Sequence, residues 1–105
     1  MQSATGKNSK QSGKLIMVKV KELLAPKFKL RENIDEKELK ELAKSMKKSY
    51  IIQPIVVREV NGKYEVICGH RRVLAAKMAK IEEIPAVVKN LDDREAFLSA
   101  IIENV

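Results

Sequence analysis

The residues of this chain that are best placed for chemistry are Gly69, His70, Arg71 and Arg72, called here the arginine loop. They follow a β-branched segment and precede a run rich in alanine, a pattern typical of a strand that turns directly into a helix. The start of a helix is electropositive, so each basic side chain there is unfavourable by up to ~1 kcal/mol unless an anion binds. This pattern predicts a phosphate-binding loop. The alternative is that Arg71 and Arg72 are solvated or pair with acidic residues elsewhere.

A second candidate site lies at the end of the chain, at Glu103 and Asn104. Carboxylate and amide oxygens are ligands that Mg²⁺ prefers, and a magnesium ion there would bridge to phosphates on the arginine loop. The alternative is that both residues belong only to the polar face of a helix. Cys68 is expected to be a small buried side chain. His70 is a weak candidate for a general base, because no Ser, Cys or carboxylate stands beside it in sequence.

The composition restricts the classes of protein to which this chain can belong. Its 105 residues suffice for one small domain, and a net charge of +7 favours an anionic partner such as nucleic acid, a nucleotide or an acidic protein face. A single cysteine excludes an internal disulfide and suits a reducing cytoplasm. With no Trp and 4% aromatic residues, a base-stacking platform is not expected. No apolar run approaches the ~20 residues of a membrane span.

The chain divides into a tail and a domain. Residues 1–14 have almost no apolar side chains and are predicted to form a flexible basic tail, while residues 15–105 are predicted to fold. Hydrophobic periodicity, two capping-box patterns and an Asn-Gly turn predict the order βαββαβα, an α+β domain around a small mixed sheet. The predicted strands are 15–20, 51–60, 63–68 and 84–89. The predicted helices are 36–48, 70–80 and one that starts near residue 92.

The last helix is predicted to bury an apolar face. Leu98, Ile101, Ile102 and Val105 recur at positions i, i+3, i+4 and i+7, the spacing of one side of a helix. The same segment holds more acidic than basic residues, unlike the rest of the chain. The chain ends on this apolar face, as expected of a fragment of a longer protein.

Several segments, in the right order, resemble one family. GHRRVLAA (residues 69–76) resembles the GxRRxxAA box of ParB-type partition proteins. QPIVVR (53–58) and YEVI (64–67) resemble the strand pair that leads into that box, and LKELAKS (39–45) resembles the family's first helix. IIEN (101–104) resembles the start of its ENxxR box. The resemblance implies a ParB/sulfiredoxin-like N-terminal domain.

The resemblance implies a ligand and a site. In this family the domain binds CTP with Mg²⁺ and acts as a clamp switch. The resemblance implies at most a slow hydrolysis of CTP, and no residue of this chain is expected to be catalytic. The implied phosphate-binding residues are Gly69, His70, Arg71 and Arg72. The implied magnesium ligands are Glu103 and Asn104, and the residues implied near the base and ribose are Gln53 and Pro54.

Partners are also implied by the resemblance. They are a ParA-type ATPase that contacts the basic tail, other partition or DNA-spreading proteins, DNA bound directly or through a partner, and a second copy of the chain. The expected location is the cytoplasm, on the nucleoid or a plasmid, with no membrane association. The implied function is that of an N-terminal module in plasmid or chromosome segregation.

The chain departs from the family pattern at four places. His70 stands where the family commonly has Glu, and the chain ends before the arginine of the ENxxR box. The connector KFKLR (27–31) lacks the usual Asn-Pro-x-Gln-Pro-Arg, and the tail has lysines but no arginine. These departures favour an alternative function, a nucleotide-independent adaptor between a DNA-bound partition protein and a ParA-type ATPase.

Enzymes of the same fold are a further alternative, but the chain has no added carboxylate cluster that would support a nuclease or a kinase. Sulfiredoxin activity is not expected, because the cysteine of this chain stands at a different position. Cys68 precedes the glycine of the loop, and His70 occupies the position of the sulfiredoxin cysteine.

Overall fold

The computed structural model describes residues 13–27, 34–49 and 52–103. Within these ranges, four strands form one mixed sheet that three α-helices and a short 3-10 helix accompany. The strands are β1 (Lys14–Lys19), β2 (Ile55–Val60), β3 (Lys63–Cys68) and β4 (Glu83–Val88), and the helices are α1 (Glu36–Lys48), α2 (His70–Met78) and α3 (Asp93–Glu103). The predicted α+β class and the order βαββαβα are confirmed. Residues 1–12 of the predicted tail lie outside the described ranges.

The strand order across the sheet is β1-β4-β2-β3. β4 pairs antiparallel with β1 and parallel with β2, and β2 pairs antiparallel with β3. Asn61 and Gly62 join β2 to β3 with φ angles of 53° and 81°, the positive values that a type I′ hairpin turn requires. The hairpin places Arg58 opposite Glu65, and a bulge then brings Val56 opposite Cys68. The predicted hairpin is therefore confirmed.

Side-chain caps define two of the helix starts. Asp35 caps α1 by accepting a hydrogen bond from the backbone N–H of Lys37 at 3.0 Å, and α1 has the predicted bounds. Before α3, Asp92 and Glu95 form a reciprocal capping box, in which each backbone N–H donates to the other's carboxylate at 2.9 and 2.8 Å. These caps satisfy N–H groups that have no partner within the helix.

The hydrophobic core lies between one face of the sheet and helices α1 and α2. Every strand contributes to it because alternate residues of each strand point toward the helices. The largest fully buried side chains are Ile55, Val57 and Ile84. On β1, Val18 is buried in this core, whereas Leu15 and Met17 on the opposite face are 64% and 57% exposed.

Four predicted bounds differ from the structure. β1 is Lys14–Lys19 rather than 15–20, so Lys14 of the predicted tail belongs to the sheet. β2 begins at Ile55 rather than at residue 51, directly after Pro54, whose ring provides no N–H for the sheet. α2 ends at Met78 rather than at residue 80, because Lys80 adopts a left-handed φ of 60° that closes the helix. β4 is Glu83–Val88, one residue earlier than predicted. None of these shifts changes the order of the elements.

The predicted core face of α3 is wrong for two of its residues. Leu98 and Ile102 are 44% and 72% exposed, whereas Ala96 is buried with 3% exposed. The buried Ala96, together with Ser99, whose carbonyl oxygen lies 3.7 Å from Cys68 Sγ, places a side of α3 with small residues against β3. Small side chains let a helix approach a sheet closely. Val105, which the prediction also placed on this face, lies outside the described residues.

Candidate functional site

Gly69 connects the end of β3 to the start of α2. Its backbone has φ 96° and ψ 25°, a left-handed conformation that glycine adopts without steric strain. A Cβ atom at this position would lie 2.6 Å from Ile55 Cγ2 and 3.3 Å from Ile55 Cα. Both the conformation and the contact with β2 therefore require glycine, and they fix the direction in which the following arginines leave the strand.

Arg72 links the arginine loop to the segment before β2. Its Nη1 donates to the backbone carbonyl of Pro54 at 3.2 Å, and the side chain is half-buried. The carbonyl of Gly69 accepts from the backbone N–H groups of Arg72 and Val73 at 3.0 and 3.2 Å, which fixes the first turn of α2. The structure thus brings two sequence-predicted groups together, the arginine loop and Pro54, while the neighbouring Gln53 is exposed.

The start of α2 is strongly electropositive. Arg71 is exposed and Arg72 partly so, and the first turn of the helix contains no acidic residue. The Nδ1 atom of His70 is shielded from solvent and has no hydrogen-bond partner among the described residues. Basic side chains at this helix end are unfavourable unless an anion lies there. The loop therefore suits an anionic ligand that accepts hydrogen bonds.

Helix α3 runs along β3 in the same direction as that strand. At the helix start, Asp93 bonds to Arg58, which is paired with Glu65 of β3. Further along, Cys68 Sγ at the end of β3 lies 3.7 Å from the carbonyl oxygen of Ser99. α3 continues for about one more turn beyond Ser99. Its C-terminal end therefore extends past Cys68, toward the end of β3 at which the arginine loop begins.

The predicted magnesium residues lie at that end of α3. Glu103 is the last residue of the helix, but its side chain and the whole of Asn104 lie outside the described residues. Among the described residues, no three His, Cys, Asp or Glu side chains form a cluster that could hold a metal ion. The assignment of Glu103 and Asn104 to a metal stays a prediction.

Sequence reasoning missed a buried ion network at the start of α3, the end of the helix opposite the proposed magnesium residues. Arg58 Nε lies 2.8 Å from Glu65 Oε1, and Arg58 Nη2 lies 2.9 Å from Asp93 Oδ1. Arg58 Nη1 donates to the carbonyl of Leu91 at 3.2 Å. A signal was present, because a two-residue turn at Asn61-Gly62 places the opposite charges of Arg58 and Glu65 in register.

Lys27 completes the network from the segment that follows the 3-10 helix. Its backbone N–H donates to Glu65 Oε2 at 2.5 Å, and its Nζ lies 2.6 Å from Asp93 Oδ2. A cleft of about 550 Å³ adjoins these groups. Its lining residues include Leu24, Ala25, Lys27, Asn61 and Asp93. The network therefore joins the chain before α1, the β2–β3 hairpin and the start of α3.

The network shifts two pKa values. Burial by itself lowers the pKa of Arg58, but the hydrogen bonds and charges of Glu65 and Asp93 outweigh it and leave that pKa raised. The hydrogen bond from Lys27, followed by that from Arg58, lowers the pKa of Asp93. Both shifts favour the charged forms of Arg58 and Asp93.

The sequence matches the ParB N-terminal domain family over residues 4–105. The chain belongs to this family. A probable chromosome-partitioning ParB of Neisseria meningitidis serogroup A is 40% identical over 103 residues, which are 97% of this chain and 36% of that protein. The chain thus spans about a third of the length of that ParB. The predicted resemblance is confirmed.

Solved ParB structures share the fold of this domain. The C-terminally truncated ParB of Caulobacter crescentus, complexed with CTP-gamma-S, superposes with a TM-score of 0.78 at 31% identity, over 89% of this chain and 53% of that one. The same protein complexed to the centromeric parS site superposes with a TM-score of 0.74 at 30% identity, over 85% and 46%. Both superpositions cover most of this chain, and they show that it has the ParB N-terminal domain fold.

Sulfiredoxin from Arabidopsis thaliana has the same fold. It superposes with a TM-score of 0.66 at 23% identity, over 84% of this ParB domain and 97% of that chain. In this ParB domain Cys68 precedes the loop and directs its Sγ toward Ser99.

None of the described helices is long and apolar enough to cross a membrane.

Proposed function

We propose that this ParB domain binds a nucleoside triphosphate, CTP in preference to the others, with Mg²⁺ at the arginine loop. The observation that carries the proposal is the bond from Arg72 to the carbonyl of Pro54, which joins the loop to the segment before β2. A ligand that spans both would contact phosphate-binding groups at one end and Gln53 and Pro54 at the other. The complex of Caulobacter ParB with CTP-gamma-S supports the choice of nucleotide.

The phosphates are held by the arginine loop. Gly69 lets the backbone approach them closely, and Arg71 and Arg72 donate charge-assisted hydrogen bonds to their oxygens. The phosphate charge neutralises the basic side chains at the positive end of α2, where like charges are otherwise unfavourable. The buried Nδ1 of His70, which has no partner among the described residues, is an additional polar group that suits such a ligand.

Glu103 and Asn104 are proposed to hold the magnesium ion. The course of α3 past Cys68 toward the edge of the sheet supports this assignment, because it directs the helix end toward the arginine loop. When bound, the metal would neutralise phosphate charge. The protein's own part is to orient the carboxylate and amide by anchoring α3 at Asp93 and Ser99.

In the cell, we infer, this domain controls the assembly of a ParB protein on DNA in response to nucleotide. The parS complex of Caulobacter ParB supports a DNA-bound setting. The proposed partners are a ParA-type ATPase, other partition proteins and a second copy of the chain, in the cytoplasm on a chromosome or plasmid. Any hydrolysis of CTP is a slow switch rather than a metabolic activity.

Calorimetry with the four nucleoside triphosphates, with and without Mg²⁺, tests the proposal. CTP is expected to bind to the chain, and Arg71→Ala and Arg72→Ala are each expected to weaken binding at least tenfold. Lys77→Ala is the matched control, because Lys77 is exposed on the last turn of the same helix and should leave binding unchanged. If none of the four nucleotides binds, the proposal is wrong.

The second candidate function is a nucleotide-independent adaptor. The exposed side chains of Leu98 and Ile102 on α3, together with Leu15 and Met17 on β1, favour it because they offer apolar surface to a protein partner. An adaptor would retain a partition partner in a pull-down without nucleotide and with Arg71→Ala. Loss of the partner on removal of nucleotide would instead support the CTP switch.

A further inference from the structure

The two edges of the sheet, β3 and β1, differ in what covers them. At the β3 edge, the carbonyl of Leu24 accepts from the N–H of Val66 at 3.1 Å, and the N–H of Leu24 donates to the carbonyl of Tyr64 at 2.8 Å. At the other edge, no segment among the described residues pairs with β1 on the side away from β4. Such an edge offers backbone N–H and C=O groups to any strand that can lie beside it.

The backbone groups of Leu15, Met17 and Lys19 point away from β4. The next residue, Val20, donates its N–H to the carbonyl of Glu82 at 2.9 Å, so these two residues form a hydrogen-bonded pair. The register continues along β1 without a shift, and hydrogen-bonded and non-bonded pairs alternate in antiparallel strands. Every second residue counted back from Val20 therefore bonds to β4, and the residues between them direct their N–H and C=O groups outward.

The side chains along this edge are apolar in the middle and basic at both ends. Leu15 and Met17 are 64% and 57% exposed, and Lys14 and Lys19 at the ends of β1 are exposed as well. The strand contains no carboxylate. A second copy of β1 alongside would bring the lysines of both copies together without a counter-charge, which is unfavourable in neighbouring strands. The edge therefore suits an apolar strand that carries acidic residues.

We propose that this edge of β1 binds an extended segment of a partner protein as an additional antiparallel strand. Apolar side chains of that segment pack against Leu15 and Met17, and acidic ones pair with Lys14 and Lys19. In strand addition the backbone hydrogen bonds provide affinity, and alternate side chains provide specificity. Residues 1–12 of this chain do not fit this description, because they contain no carboxylate and few apolar side chains.

The proposed edge is separate from the nucleotide site. The arginine loop follows β3, and β3 and β1 are the two opposite edges of the sheet. The inference therefore does not rest on nucleotide binding, and it holds whether or not the domain is an adaptor for a ParA-type ATPase.

Fluorescence anisotropy with two labelled peptides tests the proposal. The peptide SETVTVEG places acidic residues opposite both lysines in the antiparallel register, and SKTVTVKG has lysines in their place. The protein should bind the acidic peptide at least about tenfold more tightly, and the double variant Lys14→Glu, Lys19→Glu should reverse that preference. The double variant Lys63→Glu, Lys77→Glu is the matched control, because these exposed lysines lie on β3 and α2, and it should keep the wild-type preference. No binding of the acidic peptide, or no reversal in the β1 variant, would overturn the proposal.

Hydrogen exchange of backbone amides, followed by NMR, tests the mode of binding. In the free protein the N–H groups of Leu15, Met17 and Lys19 should exchange rapidly, and the acidic peptide should protect them. The N–H groups of Ile16 and Val18, which face β4, should be protected in both states. Methylation of the backbone nitrogens of both peptide valines should weaken binding at least about tenfold, because these nitrogens face β1.

Two results of these measurements would contradict strand addition by a partner. Unchanged affinity of the methylated peptide would mean that only side chains make the contact. Protection of Leu15 and Met17 in the free protein that grows with protein concentration would mean that a second copy covers the edge. Either result would overturn the proposal.

Discussion

Arg58 on β2 and Glu65 on β3 form an ion pair that is almost completely shielded from water. Arg58 Nε lies 2.8 Å from Glu65 Oε1, and only 8% and 6% of the two side chains are exposed. Arg58 also donates to the carbonyl of Leu91 and to Asp93. The pair therefore fixes the start of α3 to the β2–β3 hairpin, and α3 carries the proposed magnesium residues at its other end.

Glu65→Gln is expected to lower the free energy of unfolding by about 3 kcal/mol, because it leaves a buried guanidinium without its main counter-charge. Urea denaturation followed by circular dichroism measures the change. Glu59→Gln is the matched control, since Glu59 is exposed on the same hairpin and should alter stability by less than about 0.5 kcal/mol. Equal stability of the two variants would contradict the structural role of the pair.

Asp93 makes the stability of the domain depend on pH. Its pKa is lowered by the hydrogen bond from Lys27 and then by that from Arg58, so its contribution is present above the ordinary Asp pKa of about 4 and is lost as pH falls through the lowered value. Asp93→Asn should lower Tm by about 2–5 °C at pH 7.

Thermal unfolding of both proteins between pH 2 and pH 7 at low salt measures this dependence. The difference in Tm should shrink below pH ~4, as the wild-type carboxylate becomes protonated. Asp35→Asn provides a comparison, because Asp35 caps α1 and lies outside the network. A Tm difference that is the same at every pH would show that the charge of Asp93 does not contribute.

Local sequence signals predicted the elements of this fold more accurately than their packing. The bounds of α1 followed from its apolar spacing and from the cap at Asp35. The hairpin followed from Asn61-Gly62, because few dipeptides adopt two positive φ angles readily. The junction at Gly69 followed from a β-branched run that stops at glycine. In each case the determining interactions lie within a few residues of one another.

The contacts that complete the candidate site are long-range, and spacing alone did not predict them. The bond from Arg72 to Pro54 joins residues 18 positions apart, and that from Arg58 to Asp93 spans 35 positions. The orientation of α3 was also misjudged. The small Ala96 packs against the sheet, whereas the larger Leu98 and Ile102 are exposed. The larger apolar residues of a helix are therefore not always the buried ones.

The orientation of α3 leads to a prediction with two contrasting variants. Leu98→Lys should change the free energy of unfolding by less than about 0.5 kcal/mol, because Leu98 is 44% exposed. Ala96→Leu should lower it by about 1–3 kcal/mol, because Ala96 is 3% exposed and a larger side chain would push the helix away from β3. Chemical denaturation of both variants measures the difference. A larger loss for Leu98→Lys would mean that α3 packs through the side that carries Leu98.

Substitution of Gly69 tests the backbone geometry that positions Arg71 and Arg72. Gly69→Ala should lower the free energy of unfolding by about 2–4 kcal/mol, because the new Cβ combines a left-handed backbone with overpacking. That Cβ would lie 2.6 Å from Ile55 Cγ2. Gly62→Ala is the matched control, since Gly62 has a φ of 81° but no atom within 4 Å of its Cβ position. This control should lose only about 1 kcal/mol, the conformational part. The difference between the two variants, measured by urea denaturation, isolates the contact between the loop and β2, and equal losses would mean that this contact does not constrain the loop.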